Sequence, residues 1–287
     1  MLFYAPIAIG WCTKEKSHVQ SIEELKEFIK MKLNKNQLKE IDEKGYLILP
    51  DRFSNKEVNN LRKAMTAVFN EKTEANIVEK SSGVVRTAMG LHLRSKIFDD
   101  LTRHPKFFEP ACQIRGRNLY IQQTKINVKA AFTGEVWQWH YDFATHSGED
   151  GAPKPLALNL HVFLDDVTEF NGPLFFIPKS HKYTSAPSKL DTVTTNYPLW
   201  VVDQQNVKTI VKENGIVSAH GKVGTVVIFV DNLVHGSAQN MSPMDRAIFS
   251  VILNPCDNAQ TKFVRPEYKH GRDFKPITAS SYKSLLI

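Results

Sequence analysis

Hydrophobic positions in the first hundred residues recur at helical spacing. In SIEELKEFIKMKL, Ile22, Leu25, Phe28 and Ile29 share one face, and Ser21 with Glu24 forms a capping box that starts the helix. SNKEVNNLRKAMTAVF repeats the device: Ser54 with Glu57, then Val58, Leu61, Met65, Val68 and Phe69. Between the two, a second short helix is expected to end near Gly45, and YLILP follows as a strand stopped by Pro50. These helices are expected to flank a sheet.

From about residue 117 the pattern changes to short strand-like runs: NLYIQQTKINV, LALNLHVFL, GPLFFIP, GTVVIFV and AIFSVIL, punctuated by Gly172-Pro173 and Gly224. Many short strands between turn signals predict a β-sandwich or jelly roll. The polar stretch 183–222 has mixed signals and reads as a lid or insertion. No internal repeat and no linker divides the chain. Its 287 residues therefore read as a single domain, mainly β with flanking helices. Residues 1–116 would form a mostly helical part packing on the core, and 117–287 the core itself.

Composition changes this picture little. The net charge of +7 comes mainly from lysines between Lys14 and Lys44, a pattern suited to solvated helix faces. Without basic runs interleaved with aromatics, a nucleic-acid partner is not expected, and attraction for small anions is the milder consequence. Cys12, Cys112 and Cys256 are far apart, offer no C-x-x-C zinc pair and suit a reducing compartment. The apolar start MLFYAPIAIGWC is interrupted by Pro6, has no basic flank and is shorter than the roughly 20 residues that span a bilayer. It reads as an edge strand or tucked arm. A cytoplasmic protein without membrane attachment, monomeric or homodimeric, is expected.

The chemistry concentrates in WQWHYDFATHSGEDG, Trp137 to Gly151. His140 and Asp142 are two apart, and in a strand such residues point to one face. His235, just after GTVVIFV, is the best third ligand, and two histidines with one carboxylate make the facial triad of non-heme iron(II) oxygenases. His-x-Asp arises often by chance, however, and a lone strand histidine is more often structural. Arg246, eleven residues after His235, strengthens the case. A turn at Ser242-Pro243 would fold its strand back beside the one ending near His235, and its guanidinium fork suits a carboxylate. Taken alone, Arg246 would rather be a surface ion pair with Asp245 or Asp231. Ser237 faces the same way as His235. The chain has no P-loop, no G-x-G-x-x-G, no G-x-S-x-G elbow and no H-E-x-x-H.

WQWHYDF, FLDDVTEFNGPLFFIPKSHK and HGSAQNMSPMDR together resemble the phytanoyl-CoA dioxygenase family of iron(II)/2-oxoglutarate-dependent oxygenases, in particular ectoine hydroxylase and hydroxylases of free amino acids such as proline. The resemblance runs from GYLILPDRFS to VRPEYKHGRDFKPI and implies a double-stranded β-helix, the cupin-like jelly roll. It implies iron(II) on His140, Asp142 and His235, with 2-oxoglutarate and dioxygen as cosubstrates. Arg246 and Ser237 would grip the distal carboxylate of 2-oxoglutarate, Asn127 would lie near it, and Trp137 takes the place of the usual phenylalanine. Gln123 matches a substrate-pocket glutamine. Where ectoine hydroxylases carry a tryptophan and a serine, this chain has His146 and Asn159, so a substrate other than ectoine is expected.

The implied reaction oxidises an unactivated C–H bond of a small, polar, carboxylate-bearing metabolite, such as a free amino acid, by hydroxylation. Asp142 argues against halogenation, because related halogenases have Gly or Ala there. Desaturation or oxidative cyclisation in a secondary-metabolite pathway is the alternative, and a non-catalytic binding module a third reading. Gln123, Arg86, Thr145, His146 and Asn159 would line the substrate pocket. Arg86 would take the substrate carboxylate, unless it serves a structural salt bridge. Trp137, Trp139, Phe143 and Phe229 would keep the site dry, some of them serving simply as core.

Overall fold

The computed structural model describes residues 28–79, 82–183, 188–193 and 198–286. The N-terminal arm and most of the helix expected in SIEELKEFIKMKL lie outside them; only the helical residues 28–31 are described. The next elements follow from local chemistry. Asn34 and Gln37 cap each other at the start of α1 (Lys35–Lys44), and Gly45 ends it at φ +86°. There a Cβ would fall 2.4 Å from His181 Nδ1, so only glycine fits. β1 (Tyr46–Leu49) follows, and α2 (Asn55–Phe69) begins with the expected Ser54/Glu57 box.

The chain continues through β2 (Asn76–Val78), β3 (Val85–Met89), α3 (Leu91–Arg94), α4 (Lys96–Thr102) and α5 (Pro105–Arg115). Next come β4 (Leu119–Lys129), β5 (Trp137–His140), α6 (Asp142–Gly148), β6 (Leu158–Phe163) and β7 (Leu174–Phe176). Then follow β8 (Ser188–Asp191), β9 (Leu199–Val202), α7 (Gln204–Asn214), β10 (Val217–Ala219), β11 (Val226–Val230), β12 (His235–Ser237) and β13 (Arg246–Pro255).

The strands form two antiparallel sheets, a jelly roll: a seven-stranded one in the order β1-β11-β6-β13-β4-β3-β2 and a six-stranded one in the order β10-β7-β12-β5-β9-β8. The N-terminal part is thus more than a helical cover, since β1, β2 and β3 belong to the larger sheet. Within 183–222, β8 and β9 extend the smaller sheet from its β5 edge.

Alternation along β13 shows how the sheet is used. Phe249 faces the helices, with Phe98 of α4 stacked at 5.6 Å and Phe107 of α5 at 6.4 Å, in one core cluster with Val58 and Leu61 of α2. Arg246 and Ile248 fall on the other face and reach a cavity between the sheets. The helices therefore anchor the larger sheet from outside and leave its inner face for polar side chains.

One expectation about topology is corrected. β13 does not lie beside the strand that ends near His235. It pairs with β4 and β6, while β11 pairs with the other edge of β6 and β12 belongs to the smaller sheet. Residues 238–245 cross between sheets instead of closing a hairpin. Asn240 holds that crossing, donating to the carbonyls of Lys129 at 3.0 Å and Met244 at 2.8 Å. Arg246 consequently enters the cavity from the wall opposite His235.

Candidate active site

β5 and β12 are paired so that His140 and His235 stand directly opposite each other, their rings 4.1 Å apart. Asp142 is not in the strand, as the i, i+2 argument assumed; it is the first residue of α6. The side chains still converge because Tyr141 between them is extended (φ −133°, ψ 139°) before the helix turns away. The ligand atoms of His140, Asp142 and His235 all lie within 4.8 Å of one another. Nε2 of His140 is 3.9 Å and Nε2 of His235 4.0 Å from the Asp142 carboxylate.

Backbone carbonyls set the chemical form of this trio. His140 Nδ1 donates to the Gln138 carbonyl at 2.6 Å, and His235 Nδ1 to that of Leu233 at 3.0 Å. Each ring thus turns the Nε2 lone pair toward the shared point. Burial, then the neighbouring His235, pushes His140 down to about 3, and burial also lowers His235. Burial alone would raise Asp142, but His235, Lys125 and His140 hold it below the ordinary carboxylate value. Two neutral imidazoles and an ionised carboxylate are the protonation states that ligate a divalent metal.

The opposite wall offers a cation. Arg246 is 2% exposed, and its one hydrogen bond among the described residues runs from Nε to the Gly172 carbonyl at 3.1 Å. It forms no ion pair with Asp245 or Asp231. Burial and the nearby Arg86 push it down to about 9. Ser237 does not itself line the cavity, but it pairs in register with Leu174 and Trp137, which do, and its buried hydroxyl has no partner among the described residues. An unsatisfied guanidinium fork and an orphaned hydroxyl suit a carboxylate.

Asn127, Trp137, Gln123, Thr145, His146 and Asn159 all line the cavity. Gln123 is polarised, its amide NH2 donating to the Lys269 carbonyl at 2.7 Å, so Oε1 is left as an acceptor. The amide of Asn159 is buried with neither atom partnered among the described residues.

Arg86 is corrected. It is 2% exposed, pairs with Glu135, donates to the Val136 carbonyl at 3.2 Å and lies over the Trp137 ring at 4.3 Å. Its charge is consumed within the protein, and it does not line the cavity. Trp139 and Phe143 also leave the proposed dry wall. They pack on a second apolar cluster with Tyr141, Val202 and Ile210 of α7, whereas Trp137 and Phe229 do line the cavity.

Sequence reasoning missed Lys125 and His161, which line the cavity as well. The signal was present: Gln123, Lys125 and Asn127 alternate on β4, and Asn159 and His161 on β6. Lys125 has no hydrogen bond or ion pair among the described residues; burial lowers its pKa while Asp142 opposes that. Arg265 and Lys269 also reach the cavity, from a C-terminal segment that carried no signal.

Comparison with known proteins gives the same picture. The model of the phytanoyl-CoA dioxygenase (PhyH) family matches residues 41–248. An ectoine dioxygenase of Nocardia farcinica is 30% identical over 92% of this chain and 94% of its own length. An L-proline trans-4-hydroxylase of Streptomyces griseoviridis is 31% identical over 81% of this chain and 91% of its own. The crystal structure of EctD from S. alaskensis with 2-oxoglutarate and 5-hydroxyectoine superposes with a TM-score of 0.74 at 28% identity, covering 89% of this chain and 87% of that one.

Proposed function

The chain belongs to the phytanoyl-CoA dioxygenase family, and from that premise we propose that it hydroxylates an unactivated C–H bond of a free amino acid or amino-acid derivative other than ectoine. It is a 2-oxoglutarate-dependent non-heme iron oxygenase. The observation that carries the reading is the His140, Asp142 and His235 trio facing an unpaired Arg246 across one cavity. When bound, iron(II) with 2-oxoglutarate and dioxygen supplies the oxidising power, with succinate and carbon dioxide released.

His140, Asp142 and His235 hold the metal, each imidazole kept in the ligating tautomer by its backbone acceptor. Arg246, with Ser237 beside it, grips the distal carboxylate of 2-oxoglutarate. Asn127 lies between the two ends; its Oδ1 accepts from Thr87 Oγ1 at 2.9 Å, which turns its NH2 group outward as a donor. Lys125 balances charge beside Asp142. Phe229, Trp137 and Leu174 exclude water, so each electrostatic contact acts in a medium of low dielectric.

On the substrate side, Gln123 Oε1 accepts from an amine N–H, and Thr145, His146 and Asn159 supply further polar contacts. Hydroxylation is preferred to desaturation or ring closure because the two relatives above are named as a dioxygenase and a hydroxylase. Among the described residues no helix is long and apolar enough to cross a membrane, and the reading places the enzyme in the cytoplasm, acting on a small molecule. The test is succinate release that requires both Fe(II) and 2-oxoglutarate and is stimulated by an amino acid, with a product heavier by one oxygen. A product lighter by two hydrogens would replace hydroxylation by desaturation or cyclisation.

A further inference from the structure

His146 is the cavity residue whose surroundings were built most specifically. It sits in α6, is 3% exposed, and its Nδ1 lies 2.8 Å from Asp231 Oδ1. Asp231 follows β11 and is itself 1% exposed. Its backbone is fastened on both sides, accepting from Phe143 N–H at 3.0 Å and donating to the Ala157 carbonyl at 3.2 Å. The main chain that carries the carboxylate is therefore held in place beside the ring. With Nδ1–H committed to Asp231, Nε2 is the atom left toward the cavity, and it has no partner among the described residues. His146 is also separate from the convergent trio of His140, Asp142 and His235.

An imidazole held this way has two outward forms. With one proton on the pair, Nε2 is an acceptor; with two, it is a charged N–H donor. Three carboxylates bear on the choice: Asp231, Asp142 on the same helix, and Asp150 just beyond it. Burial disfavours the charged ring, but these anions outweigh burial and hold His146 above its ordinary value. In its doubly protonated form the pair presents a cationic Nε2–H donor to the cavity, and no hydrogen-bond acceptor meets it among the described residues.

Two arginines near the cavity are engaged elsewhere, while Lys125 stands beside Asp142 of the metal-ligand trio. Arg86 is held by Glu135, and Arg265 is clamped on Asp150, with Nε to Oδ1 at 2.7 Å. Gln123, on β4 of the larger sheet, presents an acceptor to the same cavity.

We propose that His146, oriented by Asp231, donates Nε2–H to the carboxylate of the substrate, so that the enzyme selects an amino-acid zwitterion over its neutral or cationic derivatives. His146 is the substrate-binding group and Asp231 a positioning residue. This rests on the oxygenase reading and specifies the substrate end of the same site.

The experiment measures Fe(II)- and 2-oxoglutarate-dependent succinate release with the twenty standard amino acids, then compares the best one with its own carboxamide, in which the anion is replaced by a neutral amide. Wild type is expected to favour the acid. His146→Gln should raise KM for the acid roughly 10- to 100-fold, the worth of one hydrogen bond to a charged group, while moving the carboxamide by less than about threefold. Asp231→Asn should shift the same ratio in the same direction. Dissociation constants measured by calorimetry without dioxygen should show the same split. Each preparation is first titrated with 2-oxoglutarate, so a misfolded variant is recognised and the other decides. Equal loss for acid and amide in both variants, or no acid preference in wild type, overturns the proposal while leaving the oxygenase reading intact. No succinate release with any amino acid overturns the proposal together with the free-amino-acid reading of the substrate.

Discussion

Replacing Arg246 with methionine separates ligand binding from folding, because the arginine is buried without an ion pair among the described residues. Its guanidinium is met by one backbone carbonyl, that of Gly172, and lies near a second cation, Arg86. In the free protein this charge is a cost, so Arg246→Met, close in volume, should leave the melting temperature of the free protein unchanged or raise it. In the complex the loss is large. Truncating one partner of a buried hydrogen-bonded charge pair costs about 2–5 kcal/mol, roughly 30-fold to several-thousand-fold in the affinity for 2-oxoglutarate. Thermal denaturation with Mn(II) in place of Fe(II) reads both effects. At a 2-oxoglutarate concentration of about 100 times the wild-type Kd, binding stabilises the wild type by about 2.7 kcal/mol. For 287 residues the unfolding entropy near the midpoint is about 0.6 kcal/mol per degree, so the midpoint rises by about 4–5 °C. A variant that binds 100-fold more weakly gains about 0.4 kcal/mol under the same conditions, less than about 1 °C. A variant that keeps the full ligand-induced shift would refute the carboxylate role of Arg246, and a large drop in the midpoint without ligand would show that the cation is structural.

Further outcomes follow from other parts of the molecule. His140→Ala should abolish Fe(II)-dependent succinate release and weaken Mn(II) binding measured by electron paramagnetic resonance; full activity would sink the metal site. Arg86→Met should destabilise the protein by about 3–5 kcal/mol in chemical denaturation, since it strands the Glu135 carboxylate; an unchanged midpoint with a large loss of substrate affinity would return Arg86 to the substrate site. Burial would raise the Glu57 carboxyl, but hydrogen bonds from Lys106 and Ser54 leave it below its ordinary value. Its stabilisation is therefore full above the ordinary carboxylate value of about 4.3 and disappears as pH falls through the lower folded value. Glu57→Gln should cost about 1–3 kcal/mol at pH 7, a gap that closes below about pH 4; a gap independent of pH would remove the charge from the explanation. Phe249→Ala, which empties the stack with Phe98 and Phe107, should cost about 3–5 kcal/mol in the same denaturation assay.

Local patterns reached far into this protein. Reciprocal capping by Ser54 and Glu57 needs only residues three apart, and the helix forms as its spacing predicts. The apolar runs of β6, β11 and β13 are buried from end to end and declare themselves as strands whatever their neighbours. Gln123 and Asn127 were named by the family resemblance; period-two alternation on β4 places both on one face and would have added Lys125. His140 and Asp142 were legible because one extended residue separates them.

What only the tertiary structure decided concerns partners distant in sequence. Strand periodicity states which residues share a face, not which strand lies alongside. The path after Ser242-Pro243 therefore read as a hairpin, although Asn240 carries it across to the other sheet. Charges behave the same way. Arg86 and Arg246 look equally free along the chain, yet Glu135, 49 residues from Arg86, neutralises one, and among the described residues no carboxylate pairs with the other. His146 stood in the sequence as a substrate-side residue in place of the tryptophan of ectoine hydroxylases, with no partner named for it. Asp231, 85 residues away, makes it an oriented donor. A side chain's type comes with the sequence, but its charge state and the direction of its proton depend on the groups that folding brings within about 3 Å.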